Sequence, residues 1–210
     1  GARIMRLTHT PYEEKHAYYD VDPWSPDGSK ILFCSALPEH RHSTIWIMDA
    51  DGSNMRKVGD SRYFSYHIGN FPIWAADGES VYWRDYREVD GERVPGTVRH
   101  FLADGREEFI RFYVRQVSVN GQLLDTRSSD KWDVRGLFIS EADGSDRHLL
   151  ASLEDILALS PNREVVVEND LRISLQNCKW NADGSRAFVV FVGRDRETGR
   201  AEFVEVYTVN

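Results

Sequence analysis

The chain of 210 residues contains only two cysteines, Cys34 and Cys178. Two cysteines cannot build the disulfide framework that is typical of small secreted domains. We therefore expect both side chains to be buried as small hydrophobic groups, and their number leaves the cellular compartment open.

Long hydrophobic runs are also missing. No apolar stretch approaches the roughly 18 residues that a membrane-spanning helix requires, so we expect no membrane insertion. The opening residues, GARIMRLTHT, lack the apolar core of a signal peptide. Because a first residue other than methionine is consistent with a trimmed start, a cytoplasmic protein and an exported protein whose signal was removed both remain open.

Basic residues are too few for several classes of partner. The chain has 26 Lys and Arg against 34 Asp and Glu, a formal net charge of -8. Nucleic acids and anionic membranes attract basic surfaces, so this balance argues against both as partners. The sequence also lacks a P-loop, a G-x-S-x-G elbow, a C-x-x-C pair and an H-E-x-x-H helix, which excludes the enzyme classes that those motifs mark.

One short pattern occurs three times. The stretches WSPDGSKILF, WAADGESVYW and WNADGSRAFVVF begin at Trp24, Trp74 and Trp180, and we expect all three tryptophans to be buried. In each stretch an Asp-Gly pair separates two β-prone segments, which is a strong signal for a β-hairpin. With Asn120-Gly121 included, these turns follow one another at intervals of 50, 43 and 63 residues.

A second set of Asp-Gly turns alternates with the first, at Asp51-Gly52, Asp104-Gly105 and Asp143-Gly144. The repeating unit therefore has four strands, and four-stranded units with this period are blades of a β-propeller. The fold class predicted is all-β: a single propeller domain over residues 1–210, with four clear blades and room for a fifth. The blades are expected at residues 16–59, 66–111, 112–151 and 174–210.

The segment 152–173 fits none of these blades, so it is either an insertion or a degenerate blade. LASLEDILAL within residues 150–159 is the one helical candidate, and the valines of LSPNREVVVEND predict a β-run. The last blade ends without a fourth strand. We expect Arg3–Leu7 to pair with FVEVYTV, either in the same chain or in a second molecule, because closure removes exposed edges. If Arg3–Leu7 does not pair in this way, three alternatives remain open: a partial ring, a homodimer or missing blades.

The repeat WSPDGSKILF followed by IWIMDADGSNMRKV resembles the repeat of TolB-type β-propellers. A wider resemblance, carried by RLTH, YYDVDPWSPDG and YHIGNFPIW, is to the oligogalacturonate-lyase-like branch of these propellers. The lyase resemblance implies a metal ion that acidifies a proton beside a uronate carboxylate and a base that removes it. The late segment SLQNCKW departs from that branch, because it has Gln176 and Asn177 but no histidine.

Propeller topology directs the search for a site to one face. Asp-Gly turns occupy one face, whereas the other carries the longer loops Ala36–Ser43, Asp85–Gly96, Arg127–Asp133 and Gly193–Arg200. Function concentrates on loops held by a rigid scaffold. The candidate ligand-binding residues of this loop face are His16, Tyr19, Asp20, His40, His42, His67, Arg84 and Arg87.

His16 and His67 precede adjacent blades by nearly equal offsets, so we expect them to lie close together near the axis. If these imidazoles bind a metal, Mn²⁺ is the cofactor expected. Two functions remain open. The first, which we favour, is a non-catalytic scaffold that presents the loop face to a protein or saccharide ligand. The second is metal-dependent β-elimination of uronate oligosaccharides, so whether the protein is an enzyme remains open.

Overall fold

The computed structural model describes residues 4, 6–8, 13–17, 21–36, 42–65, 68–126 and 136–210. The chain divides into two compact units, Gly1–Arg111 and Phe112–Asn210. None of the helices among the described residues is long and apolar enough to cross a membrane.

The first unit contains two four-stranded antiparallel sheets whose strands follow one another in chain order. Blade 1 is formed by β1 (Glu13–Lys15), β2 (Lys30–Ala36), β3 (Ser43–Asp49) and β4 (Arg56–Ser61). Blade 2 is formed by β5 (Ile73–Trp74), β6 (Ser80–Val89), β7 (Glu92–Phe101) and β8 (Glu107–Ile110).

The second unit contains one four-stranded and one three-stranded antiparallel sheet, with two short helices between them in the chain. Blade 3 is formed by β9 (Gln116–Val117), β10 (Leu123–Asp125), β11 (Gly136–Ser140) and β12 (His148–Ser152). The helices are α1 (Leu153–Leu159) and α2 (Arg163–Glu168), and blade 4 is formed by β13 (Arg172–Trp180), β14 (Ala187–Arg194) and β15 (Ala201–Val209).

These sheets confirm the predicted class, an all-β propeller fold of antiparallel blades. The alternating Asp-Gly turns have the expected local structure: the glycine takes a positive φ, for example +71° at Gly28 and +70° at Gly78. In the same turns the aspartate accepts the backbone N–H two residues later, as Asp27 does from Ser29 and Asp77 does from Glu79. The turn chemistry is therefore fixed locally by the Asp-Gly pair.

The turn at Asp27 has a consequence for pH dependence. Hydrogen bonds from the Ser25 hydroxyl, and then from Ser29, lower the pKa of Asp27 from 3.8 to about 2. A carboxylate whose folded pKa is depressed stabilises the fold above its unfolded pKa, and that contribution is lost as the pH falls through the folded value. Denaturant unfolding of Asp27→Asn should therefore show a deficit against the parent protein at pH 7 that shrinks between about pH 4 and about pH 2. A deficit independent of pH would contradict this assignment.

One strand prediction was wrong. α1 lies where the helical candidate was expected, but the valines of residues 165–167 belong to α2 and not to a β-run. In α2 only Val166 faces the interior, whereas Val165 is 37% exposed and Val167 72% exposed. Successive side chains of a helix point in different directions, and this chain needs only one of the three valines for its core. The β propensity of valine is weaker than that tertiary requirement.

The prediction for the three tryptophans was correct for Trp74 and wrong for Trp24. Trp74 is 6% exposed and its indole N–H donates to the Pro23 carbonyl, whereas Trp24 is 43% exposed. Trp180 is half-buried against the core of the second unit. Blade 1 is the first blade of its unit, so no preceding blade of that unit covers Trp24.

The predicted strand Arg3–Leu7 is described only at Ile4, Arg6 and Leu7, and these residues form no strand. Ile4 is 95% exposed, and Leu7 packs against Ile31, Phe33 and Met48 of blade 1. Arg3 and Met5 lie outside the described residues, so the pairing of this segment with β15 in the same chain stays a prediction. Pairing with a second molecule remains a prediction.

Each unit has its own hydrophobic core. In the first unit a single cluster joins the two blades, and its buried members are Leu32, Ile45, Ile47, Trp74, Val81, Trp83 and Val98. In the second unit the cluster includes Leu124, Leu137, Ile156, Leu175, Val189 and Phe191. Neither cysteine forms a disulfide and both are buried, as predicted, and burial raises the pKa of the Cys34 thiol to about 11.

A basic and aromatic candidate binding site

A pocket of about 410 Å³ opens in the first unit where the connection after β4 meets the end of the β6–β7 hairpin. Its lining residues are Arg62, Tyr63, Phe64, Tyr86 and Arg93. Two residue types, arginine and aromatic, supply the whole lining. Pockets of a few hundred Å³ are large enough for a small organic ligand such as one or two sugar rings.

The hairpin that carries half of this pocket differs from its sequence prediction. Asp85–Gly96 was expected to be a long loop, but β6 continues to Val89 and β7 begins at Glu92. Asp90 and Gly91 both have positive φ, +55° and +82°, which is the conformation of a two-residue type I′ turn. The Asp-Gly turn lets the two strands extend beyond the rest of blade 2.

A buried carboxylate fixes the other half of the pocket. Asp85 is 3% exposed, and its Oδ1 accepts the backbone N–H of Arg62 at 2.7 Å. Ser61 strengthens this anchor, because its hydroxyl donates to the Arg84 carbonyl at 2.6 Å and accepts the Tyr63 N–H at 2.9 Å. These contacts hold the main chain of residues 61–63 against β6. They do not use the side chain of Arg62, which lines the pocket.

The aromatic rings of the pocket are in mutual contact. The ring centroids of Tyr63 and Tyr86 are 5.7 Å apart with an interplanar angle of 40°. The guanidinium of Arg93 lies 4.2 Å from the centre of the Tyr86 ring, within the range of a cation–π interaction. Tyr86 therefore orients Arg93, and the two side chains present a planar cation beside an aromatic surface.

The four arginines near this pocket have different electrostatic environments. Arg87 is neutralised by Asp85 at 3.1 Å and by Glu107 at 2.7 Å. Arg84 is buried and lies 4.2 Å over the Phe71 ring. Within the part of the chain that the structure describes, neither Arg62 nor Arg93 forms an ion pair with a carboxylate. The pocket therefore has two guanidinium groups whose charge is not balanced by an ion pair in that part of the chain.

The structure places the predicted site residues as follows. His16 and His42 are exposed, at the end of β1 and just before β3, whereas Arg84 and Arg87 lie on β6 next to the pocket. Tyr19, Asp20, His40 and His67 lie outside the described residues. The described residues contain no group of three metal-ligating side chains. The proximity of His16 and His67, and a metal bound by them, remain predictions.

The aromatic members of the pocket were missed by the sequence analysis. Tyr63 and Phe64 lie in the segment RYFSYH between two blades, and Tyr86 lies on β6, where the sequence predicts a loop. A sequence signal was present: an arginine followed by closely spaced aromatic residues in a blade-to-blade connection is unusual for a solvated linker. Aromatic side chains in such a connection are exposed unless they pack in the core, line a pocket or bind a ligand.

A scan against protein-family models and a search of curated proteins found no match. Solved structures do match. A prolyl endopeptidase is similar with 12% identity over 93% of this chain and 28% of that chain, at a TM-score of 0.53. TolB from Acinetobacter baumannii has 14% identity over 89% of this chain and 42% of its own, at a TM-score of 0.49. An oligogalacturonate lyase in complex with manganese has 11% identity, 95% and 69% coverage and a TM-score of 0.41.

TolB and an oligogalacturonate lyase, the two kinds of protein that the repeat resembles, are thus among the similar solved structures. Of the three, only the prolyl endopeptidase exceeds a TM-score of 0.5, and it shows similarity of fold alone. At identities of 11% to 14% they carry no information on the ligand. The chain spans 42% of the TolB chain and 28% of the prolyl endopeptidase chain.

Proposed function

We propose that the protein is a propeller-type binding scaffold and that the pocket of Arg62, Tyr63, Phe64, Tyr86 and Arg93 binds an acidic saccharide. The observation that carries the proposal is the position of two guanidinium groups, without intramolecular ion pairs among the described residues, beside three aromatic rings. A guanidinium donates two parallel hydrogen bonds to a carboxylate, which fixes its orientation. An aromatic ring offers a flat apolar surface to the C–H face of a pyranose ring. A uronate unit has both features.

The scaffold reading also fits the way in which the pocket is built. Asp85 and Ser61 fix the main chain of residues 61–63, and a continuous antiparallel hairpin carries Tyr86 and Arg93. A site on such elements is preorganised, so little conformational entropy is lost when the ligand binds. Its chemistry is recognition of charge and ring shape. The uronate lyase activity implied by the resemblance is a separate prediction, and formation of an unsaturated product during the same titrations would report it.

The test is a calorimetric titration with trigalacturonate, its methyl ester and maltotriose. We expect the trigalacturonate to bind and the two neutral sugars to bind at least about tenfold more weakly, because they offer no carboxylate to the guanidinium groups. The affinity for trigalacturonate should fall as the salt concentration rises, since salt screens the attraction between exposed charges. A glutamate-rich peptide serves as the comparison that separates an acidic saccharide from an acidic protein segment. Equal affinity for the peptide would favour the protein ligand.

Two variants locate the site. Arg62→Ala and Arg93→Ala should each weaken trigalacturonate binding by about tenfold or more, the usual contribution of a hydrogen bond between charged groups. Arg62→Ala keeps the backbone N–H that Asp85 accepts, so the anchor of the pocket remains. Arg56→Ala is the matched control, because Arg56 is an exposed arginine of the neighbouring strand β4. Binding that is unaffected by either pocket variant, or no binding at all, would overturn the proposal.

A further inference from the structure

The turn that leads into β10 differs from the corresponding turns of the other three blades. In blades 1, 2 and 4 four residues lie between the last paired positions of the turn, for example between the Ser25 N–H and the Lys30 carbonyl that accepts it. In blade 3 the Ser118 N–H donates to the Gln122 carbonyl, so only three residues intervene. This shorter turn is also the one that has Asn-Gly, at Asn120, where the other three have Asp-Gly.

The side chain of Asn120 is held differently from the aspartates of the repeat turns. In those turns Oδ1 of the aspartate accepts the backbone N–H two residues later at 2.8 to 3.0 Å, which is the case at Asp27, Asp51, Asp77, Asp104, Asp143 and Asp183. After Asn120 this N–H belongs to Gln122, and it donates to the Ser118 hydroxyl at 3.0 Å. Within the described part of the chain, the Asn120 side chain makes one hydrogen bond, from Nδ2 to the Asp183 carbonyl at 3.4 Å.

An asparagine that precedes a glycine can react with its own backbone, and asparagine is among the chemically labile residues. The Gly121 N–H first releases the Ser118 carbonyl, which it binds at 2.9 Å, and loses its proton to water. The nitrogen then forms a bond to Cγ of Asn120, while Nδ2 takes up a proton and leaves as ammonia. Water opens the resulting succinimide at either carbonyl, which gives aspartate or isoaspartate.

The surroundings of this pair favour the reaction. Asn120 is exposed, and a Cβ placed on Gly121 would meet no atom within 4 Å, so water has access to the turn. Glycine has no Cβ to shield its nitrogen. The Asp-Gly turns are less reactive, because an ionised carboxylate is a poor electrophile. Hydrogen bonds from Ser25 and then Ser29 lower the pKa of Asp27 to about 2, which keeps it ionised at neutral pH.

We propose that Asn120 deamidates through attack by the Gly121 nitrogen and that the product weakens the contact between blades 3 and 4. The two turns touch, since a Cβ on Gly184 would stand 3.0 Å from Nδ2 of Asn120. Deamidation replaces the Nδ2 donor with a carboxylate oxygen, which would face the Asp183 carbonyl oxygen. Isoaspartate also adds a methylene group to the main chain of the turn, and turn length fixes the register of a hairpin.

Incubation of the full chain in heavy-oxygen water at mildly alkaline pH tests the modification. We expect label to enter at Asn120 at least about tenfold faster than at Asn181, because only Asn120 is followed by a residue without Cβ. Asn181 is the matched internal control: it is also exposed, but its Oδ1 accepts the Arg186 N–H at 3.0 Å and alanine follows it. Peptide mapping by mass spectrometry locates the label. Equal rates at the two asparagines, or a faster rate at Asn181, would overturn the proposal.

Urea unfolding of the full chain tests the consequence. Asn120→Asp reproduces the aspartate product, and we expect its unfolding midpoint to lie below that of the parent protein. Asn120→Ser is the matched control, because it removes the Nδ2 donor without adding charge and serine is also favourable in turns. Its midpoint should lie between those of the parent and Asn120→Asp. A midpoint of Asn120→Asp at or above the parent value would refute the weakened contact.

Discussion

Trp83→Ala is expected to lower the free energy of unfolding of the first unit by about 4 kcal/mol, the usual cost of removing a fully buried tryptophan. Trp83 is inaccessible to solvent and lies in the cluster that joins blade 1 to blade 2. Its indole reaches the main chain of the neighbouring blade: a Cβ on Gly59 of β4 would stand 2.8 Å from the ring. Alanine would leave a cavity between two rigid sheets, which cannot collapse to fill it. Denaturant unfolding measured by circular dichroism gives the difference.

Two variants separate burial from residue type. Trp24→Ala removes the same side chain from an exposed position of the same unit, so it should cost about 1 kcal/mol or less. Trp83→Phe should cost about 1–2 kcal/mol, because it loses volume but no hydrogen bond. The indole N–H of Trp83 has no acceptor among the described residues. Similar losses for Trp83→Ala and Trp24→Ala would show that the cluster does not depend on this contact.

The parts of the fold that the sequence predicted are those decided by neighbours in the chain. An Asp-Gly pair makes its own turn, because the glycine adopts a positive φ and the aspartate binds an N–H two residues away, as at Asp27 and Gly28. α1 is likewise local, since Ser152 and Asp155 form a reciprocal capping box at its start. Where two strands are joined by such a short turn, their antiparallel pairing follows from the turn itself.

The errors concern residues whose environment is set by distant parts of the chain. Trp24 and Trp74 stand in the same motif, yet one is exposed and the other buried, because only Trp74 has a preceding blade in its unit to pack against. Val165–Val167 favour a strand by propensity, but the second unit buries only Val166.

The positive charge of the candidate site can be predicted from the sequence, but the arrangement of its residues cannot. Arginines on the loop face, including Arg62 and Arg93, are visible in the sequence. Their convergence with Tyr63 and Tyr86 depends on a buried Asp85 that accepts the Arg62 N–H 23 positions earlier in the chain. A contact between residues so far apart in the chain leaves no periodic pattern in the sequence. The Asp90-Gly91 turn can be predicted from the sequence, because it follows the same rule as the seven repeat turns. That prediction would have extended β6 and β7 into the pocket.

Arg147→Met is expected to destabilise the second unit by roughly 3–5 kcal/mol, because it would remove a pair of charge-assisted hydrogen bonds from a buried carboxylate. Asp125 of β10 is 1% exposed, and Arg147 donates to both of its oxygens, from Nε at 3.0 Å and from Nη2 at 2.9 Å. The guanidinium is also stacked on Phe138 at 4.0 Å and lies near Phe112 at 4.8 Å. The loss therefore combines the two hydrogen bonds to Asp125 with two cation–π contacts. Urea unfolding at neutral pH measures it.

Three further variants decide which of these interactions matters. Arg147→Lys keeps the charge but cannot form the two parallel hydrogen bonds, so it should lose about 1–2 kcal/mol. The double variant Asp125→Leu with Arg147→Met removes both charges and should recover at least half of the loss, since a buried ion pair is often no more stable than well-packed apolar groups. Arg163→Met, an exposed arginine of α2, should change stability by no more than about 0.5 kcal/mol. If the double variant is as unstable as Arg147→Met alone, the stacking of Arg147 between Phe112 and Phe138, and not the charge of Asp125, holds this part of blade 3 together.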